Sequence, residues 1–393
     1  MMKFESAGKV AIAGFHQSQL TRSSDVPLGA LTYDVCAKAI ADAGLSVDDI
    51  DGVCTASLLP SFGAHGNVDG VDIVTANWLA ERLQLDTSWI SGYAGWGTIT
   101  GALIAGVSAV ASGAAKNVLL YRALSNPKGR YHENPLKEVP GEFQWFAPHG
   151  MWGPPAFIAL PYAEYMNRYG ATREAMATLI VQIRENVQGN PLAYWNDKPL
   201  TKEEYIKSSM VADPISVLDC DMGVNGAAAF ILTSGDHARY LPNRPVYIAG
   251  FAQGVNQKRL LMLDDIMDGG RRAAKRLWAS SALDPKEVDV LEVYDGFSPL
   301  AYWWLECLGY CDVGEAHQFI QGGTIASDGP YPILSGGGSL GNGRLHGVPQ
   351  VRECYLQLSG RAGSRQRESA AVGLACHAMP HAGGAVVFTS ERR

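Results

Sequence analysis

The feature that most limits what this chain can fold into is a long internal repeat. Val10–Phe15 reads VAIAGF and Val246–Phe251 reads VYIAGF. Each is a short β-branched strand with a Gly near its end and a helical segment downstream, Leu31–Ala43 in one copy and Arg271–Ala282 in the other. The match then continues in order. Ala43–Val53 reads AGLSVDDIDGV, and Ala282–Val293 reads ALDPKEVDVLEV. Both stretches open a short helix with a capping box, Ser46 with Asp49 and Asp284 with Glu287, the latter with Pro285 at the first helical position. Both then run into an apolar strand. One such match arises by chance; several in the same order at nearly constant offset predict two similar α/β halves.

Strands alternate with helical periods in each half, which predicts parallel-type sheets with crossover helices. The third unit of the first half is a Gly-rich turn, a buried helix over Gly97–Gly113 and a strand over Asn117–Tyr121. Its counterpart is the Gly-rich turn Ser335–Gly343, the helix Val348–Ser359 and the strand Ala370–Leu374. We expect an N-terminal half over residues 1–240 and a C-terminal half over 241–393. Arg122–Pro214 is long, aromatic and Pro-rich, and reads as an insertion covering the site, with a helical stretch from Pro161 to about Asn190.

Composition narrows the function classes. Hydrophobic residues at 47% and charged residues at 18% suit a globular enzyme and exclude a disordered chain. A net charge of −7 argues against nucleic acid as the main partner, while a polyanionic ligand such as coenzyme A needs only a local basic patch. The seven cysteines have no zinc-ligand spacing, so no metal is expected, and reduced thiols in a cytoplasmic protein are the simplest reading. Met1–Val10 carries Lys3, Glu5 and Lys9 and does not read as a signal peptide. Gly97–Ala115 has no charge, but its Gly, Ala, Ser and Thr content fits a helix buried on all sides better than a membrane span.

Four stretches carry a family resemblance: IDGVCTAS (50–57), GALIAGVSAVASGAAKNVLL (101–120), ADPISVLDCDMGVNGAAAFILTS (212–234) and EVYDGFSPLAYWWLECLGYC (292–311). Together they resemble the thiolase superfamily, in the branch of sterol carrier protein x thiolase and the bacterial lipid-transfer proteins. The resemblance implies a five-layered αβαβα fold built from the duplicated halves. The thiolase chemistry does not carry over. The turn that bears the family's nucleophilic Cys reads SGYAGWG (91–97), with Ala94 or a near neighbour at that position, and Gly341 in SLGNGRLHG (339–347) takes the place of the activating His. Ile333-Leu334-Ser335 replaces the Asn-containing turn, and Tyr294-Asp295-Gly296-Phe297 stands where the branch has HDCF or HDAF.

Thiolysis through an acyl-enzyme needs a thiolate and a base. YDGF with GRLHG and no Cys is similar to the thiolase-like aldolases of steroid side-chain degradation, which split a β-hydroxyacyl-CoA into a short acyl-CoA such as propionyl-CoA and a steroid ketone. The resemblance also implies an accessory subunit with an OB-fold acyl-CoA-binding module, giving a heterotetramer built on a homodimer. No cofactor is implied beyond the CoA of the substrate. Retro-aldol cleavage needs a base for the β-hydroxyl, donors for an enolate oxygen and a proton for carbon, but no covalent intermediate.

Tyr294 follows the apolar strand Val290–Val293, and ligands in open α/β sheets sit beyond C-terminal strand ends, so it is the candidate base; the bland alternative is a buried phenol bonded to backbone. Asp295 either orients a partner or caps the helix that starts near Ser298. His346 is a candidate proton donor or enolate stabiliser, or a structural His. Arg344 is a candidate for the thioester or CoA phosphates, against a surface salt bridge. In CHAMPHAGG (376–384), His381 is the catalytic candidate, and Cys376 reads as a buried thiol. Gly337 and Gly338 join the substrate-binding residues with Trp145, Phe146 and Trp152, since FQWFAPHGMWGPPAF (143–157) suits either a pocket wall for a flat substrate or an ordinary aromatic core. The run Arg271–Arg276 suits CoA phosphates or a solvated helix face. A non-catalytic acyl-CoA or lipid-binding subunit is the competing function, and a thiolase working through Cys376 is the third.

Overall fold

The computed structural model describes residues 4–56, 74–93, 98–125, 144–151, 153–254 and 262–393. Its strands are β1 Val10–Gln17, β2 Gly52–Thr55, β3 Trp89–Gly92, β4 Asn117–Leu124, β5 Met210–Ala212, β6 Ile215–Ser216, β7 Gly226–Ser234, β8 Val246–Gln253, β9 Val290–Glu292, β10 Val372–His377 and β11 Gly384–Thr389. Nine of them are hydrogen-bonded in the order β3-β2-β4-β7-β1-β8-β11-β10-β9, and β5 pairs with β6 separately. The two half-sheets meet where β1 touches β8 through Ala11↔Tyr247 and Ile12↔Val246.

The expected parallel sheets are mixed ones. β2 runs parallel to β3 and β4, and β9 to β10, while β4–β7, β7–β1, β8–β11 and β11–β10 are antiparallel. Only a short turn separates β10 from β11, and a connection that short joins antiparallel strands alone. Sequence periodicity separates strands from helices but does not report direction.

Three apolar cores alternate with the two half-sheets. Helices Leu28–Asp42 and Ala76–Leu83 pack on the outer face of β4 and β7. Helices Thr98–Ser112 and Val348–Leu358 lie between the half-sheets. Helices Leu263–Ser281 and Ser298–Leu308 cover the far face of β10 and β11. These are the five layers. The central helix Thr98–Ser112 departs from the expected full burial: Ile104 and Ala105 are half-buried and Ser108 is exposed, so small residues here serve close packing on one face only.

Both capping boxes form, with Ser46 N donating to Asp49 at 2.8 Å and Asp284 N to Glu287 at 3.0 Å. A second repeated device sets strand register. Asp51 accepts from Lys116 N at 2.8 Å and Asn117 N at 2.9 Å, and Asp289 accepts from Ala371 N at 2.8 Å and Val372 N at 3.0 Å. Each carboxylate clamps the start of the inner strand to the turn before its parallel neighbour, and hydrogen bonds to a charged group stabilise by about 1.5–3 kcal/mol.

The insertion begins later than expected, because β4 runs on through Arg122 to Leu124. Its helical stretch is two helices, Pro154–Tyr169 and Arg173–Asn186. Gly170 ends the first at φ 72°, and Thr172 starts the second by accepting from Ala175 N. Among the described residues no helix is long and apolar enough to cross a membrane.

Candidate active site

Parallel register brings the reactive side chains together. Glu292 pairs with Ala375, so two residues further on Tyr294 and His377 leave β9 and β10 side by side. Their rings meet edge to face, with centroids 4.4 Å apart and planes at 71°. In the other half-sheet Thr55 pairs with Tyr121, which sets Ala56 beside Arg122. Arg122 Nη1 donates to the Ala56 carbonyl, and Nη2 reaches Nδ1 of His346 at 2.7 Å.

A guanidinium can only donate, so Nδ1 of His346 accepts and the ring proton sits on Nε2. That nitrogen has no protein partner among the described residues, and His346 as a whole residue is half-buried. Burial and the charges of Arg122 and Arg344 hold the His346 imidazole well below its ordinary value, so it stays neutral. Its backbone sits at φ 49°, in the left-handed region. Thr98 opens the central helix at this point. Its hydroxyl donates to the His346 carbonyl at 3.2 Å and lies 2.9 Å from Nδ1 and 3.1 Å from Nε2 of His377. Tyr294, His377, Thr98 and Arg122 are buried, each below a tenth exposed. The cluster therefore combines a phenol, a fixed cation, two imidazoles and one open N–H donor.

Asp295 does not cap the helix that begins at Ser298. The cap there is Phe297, with no side-chain hydrogen bond. The carboxylate instead crosses to the Gly-rich turn and accepts from Ser339 N at 2.6 Å, Leu340 N at 3.1 Å and Gln350 Nε2 at 2.7 Å. Burial pushes it up to about 7 while those amides pull it down. Gly338 lies directly against this carboxylate, where a Cβ would overlap it, and a Cβ at Gly337 would meet Val187 at 2.5 Å. With φ of 51° and 86°, these two glycines let the turn wrap the carboxylate.

Arg344 makes no surface salt bridge. It is buried and its Nε pairs with Asp221 at 3.1 Å, the carboxylate being nearly sealed as well. Burial pushes Asp221 up to about 6 against the pull of Arg344.

His381 lies elsewhere. It is fully buried, its two ring nitrogens have no hydrogen-bond partner among the described residues, and desolvation lowers it to about 4. Cys376 precedes His377 in β10 and so points to the opposite face, into the core beneath the outer helices. Burial raises its thiol well above the ordinary range, which disfavours the thiolate that a nucleophile needs. Trp145 is 71% exposed, and Phe146 packs edge to face on Phe157. Trp152 and Ala94 lie outside the described residues. Arg271, Arg272, Lys275 and Arg276 form an exposed helix face, with Arg271 paired to Asp268. Among the described residues no three His, Cys, Asp or Glu side chains converge as a metal site.

Three members of this cluster escaped sequence reasoning: His377, Arg122 and Thr98. The signal for the first two was the repeat itself, since the aspartate-clamped strands place both at matching strand ends. Thr98 had no comparable signal.

The C-terminal part, residues 252–388, matches the family model described as thiolase C-terminal domain-like. The chain is 33% identical over 370 residues to the 17-hydroxy-3-oxo-4-pregnene-20-carboxyl-CoA lyase of Mycobacterium tuberculosis, covering 90% of this chain and 92% of the relative. It is 30% identical to the steroid side-chain-cleaving aldolase of Thermomonospora curvata, over 90% and 91% of the two chains. Among solved structures, one titled Ltp2-ChsH2(DUF35) aldolase superposes with a TM-score of 0.84 at 27% identity over 98% of each chain. Human mitochondrial 3-ketoacyl-CoA thiolase, at 14% identity and TM-score 0.67 over 97% and 98%, shares the fold.

Proposed function

The chain belongs to the thiolase superfamily and is an aldolase of it, and from that premise we propose that it cleaves the Cα–Cβ bond of a β-hydroxyacyl-CoA on a steroid side chain. The products are a steroid ketone and a short acyl-CoA such as propionyl-CoA. The observation that carries the reading is the Tyr294–His377 contact beside the Arg122–His346 pair. Tyr294 takes the β-hydroxyl proton, the carbonyl forms as the Cα–Cβ electrons leave, and those electrons become the thioester enolate. His346 Nε2–H donates to the enolate oxygen. Tyr294 then returns its proton to Cα, so every atom is accounted for without a co-reactant. No resident cofactor is involved.

Asp295 acts by holding the Gly-rich turn, including Gly337 and Gly338, against the thioester. Arg344, held by Asp221, adds positive charge on the CoA side. His381, buried beside the final turn, has at most a supporting part. Trp145, Phe146 and Trp152 would line the approach of the ring system. We further propose a cytoplasmic homodimer joined by an OB-fold acyl-CoA-binding subunit as a heterotetramer, a reading supported by the similarity to a structure named Ltp2-ChsH2(DUF35) aldolase.

The test is a mass-spectrometric assay on a 17-hydroxy steroid β-hydroxyacyl-CoA, with and without a candidate accessory subunit, comparing wild type with Tyr294→Phe. Release of ketone and short acyl-CoA that the substitution abolishes supports the reading. Substrate that binds and never turns over would point to a binding subunit instead.

A further inference from the structure

Among the described residues Arg122 is a buried charge without a counter-charge. Its side chain is 3% exposed, and its two partners are a backbone carbonyl and a neutral imidazole. Among the described residues no carboxylate pairs with it, whereas the other buried site arginine, Arg344, has Asp221. Leaving a guanidinium so desolvated without a counter-charge is unfavourable. Burial lowers it to about 10, which still leaves it charged at neutral pH. An arrangement that disfavours the resting state persists where an anion forms during function.

The Tyr294 ring meets His377 at 4.4 Å, and the His377 ring lies 6.3 Å from that of His346, which Arg122 holds at 2.7 Å, so phenol and guanidinium belong to one buried cluster. Among the described residues, the groups gathered about Tyr294 include His377 at the end of β10, Arg122 near the end of β4, His346 and Arg344 on the turn before the helix Val348–Leu358, and Asp295 next in the chain, which faces Asp221. Of these, the carboxylates are engaged by amides or by Arg344, and the histidine bonded to Arg122 is neutral.

We infer that Arg122 is a positioning residue of the reaction, the fixed positive charge that favours the phenolate of Tyr294 as base and pins His346 with its proton on Nε2. This rests on the aldolase reading for its catalytic meaning, but not for its physics. A cation beside a phenol favours the ionised form, and a permanent donor at Nδ1 excludes the other tautomer. One side chain thus sets the protonation state of both the base and the enolate donor.

The first measurement needs no substrate. The ultraviolet difference spectrum of wild type minus Tyr294→Phe isolates one phenol among the tyrosines and follows its ionisation with pH. Repeated in an Arg122→Gln background, the Tyr294 transition should move up by about one pH unit or more, while Arg122→Lys retains most of the wild-type position. An unmoved transition in a folded Arg122→Gln protein overturns the inference. If that variant does not fold, nitrogen-15 spectra of wild type decide the matter. His346 should stay protonated on Nε2 alone from pH 6 to 9, and a doubly protonated or Nδ1–H ring in that range overturns it. Kinetics then separate the two readings: in Arg122→Gln, kcat should fall roughly 100-fold with KM little changed and its acid limb displaced upward. A shifted phenol in a protein without aldolase activity would sink the function and leave the inference standing.

Discussion

The hydroxyl of Tyr294 folds back over the α-carbon of Gly296, so that any side chain at 296 would overlap the phenolic oxygen. The Gly in YDGF therefore keeps the candidate base in place. Its φ is not in the left-handed region, so the need for Gly is purely one of space.

Gly296→Ala should accordingly leave stability close to wild type while lowering kcat by roughly 100-fold, the usual scale for losing a positioned acid–base group. Adding Tyr294→Phe should bring no further loss, because both changes remove the same group. Additive losses in that double variant would mean that Gly296 matters for another reason.

His377 and His381 separate a contact with the candidate base from mere proximity in sequence. His377→Asn removes the ring that packs on Tyr294 and the link to Thr98, and should cost kcat roughly 100-fold at nearly constant KM. His381→Leu should change kcat less than about threefold, because the ring makes no hydrogen bond to either residue. Steady-state kinetics on the pair decides it, and the reverse ranking would restore His381 as the catalytic histidine.

Two buried groups give opposing pH dependences of stability. Asp295, pushed up to about 7, keeps a proton in the folded chain that the unfolded chain releases near pH 4. Its contribution is therefore full below about pH 4 and is lost as pH rises to about 7. His381, lowered to about 4 from 6.5, runs the other way, with stability lost as pH falls through that window. Urea unfolding of Asp295→Asn should show the slope against pH become more positive, and His381→Leu more negative, by up to about 1.4 kcal/mol per pH unit. Unchanged slopes would show that neither group titrates differently on folding.

The Arg344–Asp221 pair is sealed from water, and removing one partner strands the other. Asp221→Asn should destabilise the protein by about 3 kcal/mol, and Asp221→Asn with Arg344→Met by less. A double variant worse than the single would mean that the pair contributes more than mutual compensation.

Much of this was legible in the residues before any coordinates. AGLSVDDIDGV and ALDPKEVDVLEV announced the paired halves because capping boxes act locally, and Tyr294 stood out through its place after an apolar strand. Arg122, Thr98 and His377 did not, since they meet only when two strand ends and one helix start converge from remote parts of the chain. The sequence pointed to His381 rather than His377, while the ring that meets Tyr294 is His377. Ala378 adopts φ 63°, a conformation that a sequence reader assigns to Gly, and this places His377 within the strand rather than the loop. Asp295 stood open between a local cap and a partner-orienting role, because the amides that it engages lie across the site.

The matching aspartate clamps have a last consequence. Arg122 lies five residues beyond the clamped Asn117 (117 to 122), and His377 five beyond the clamped Val372 (372 to 377). Ala56 and Tyr294 likewise each lie five residues beyond their clamping aspartate (51 to 56, 289 to 294). The two are quasi-equivalent positions, related by the pseudo-dyad through the β1–β8 seam. In a pair of separate identical halves, one residue type would have to fill both places. Covalent fusion lifts that restriction: one twin carries a permanent cation and a bare methyl, the other a titratable ring and a phenol, and a single heterotypic site stands where two identical ones would have been.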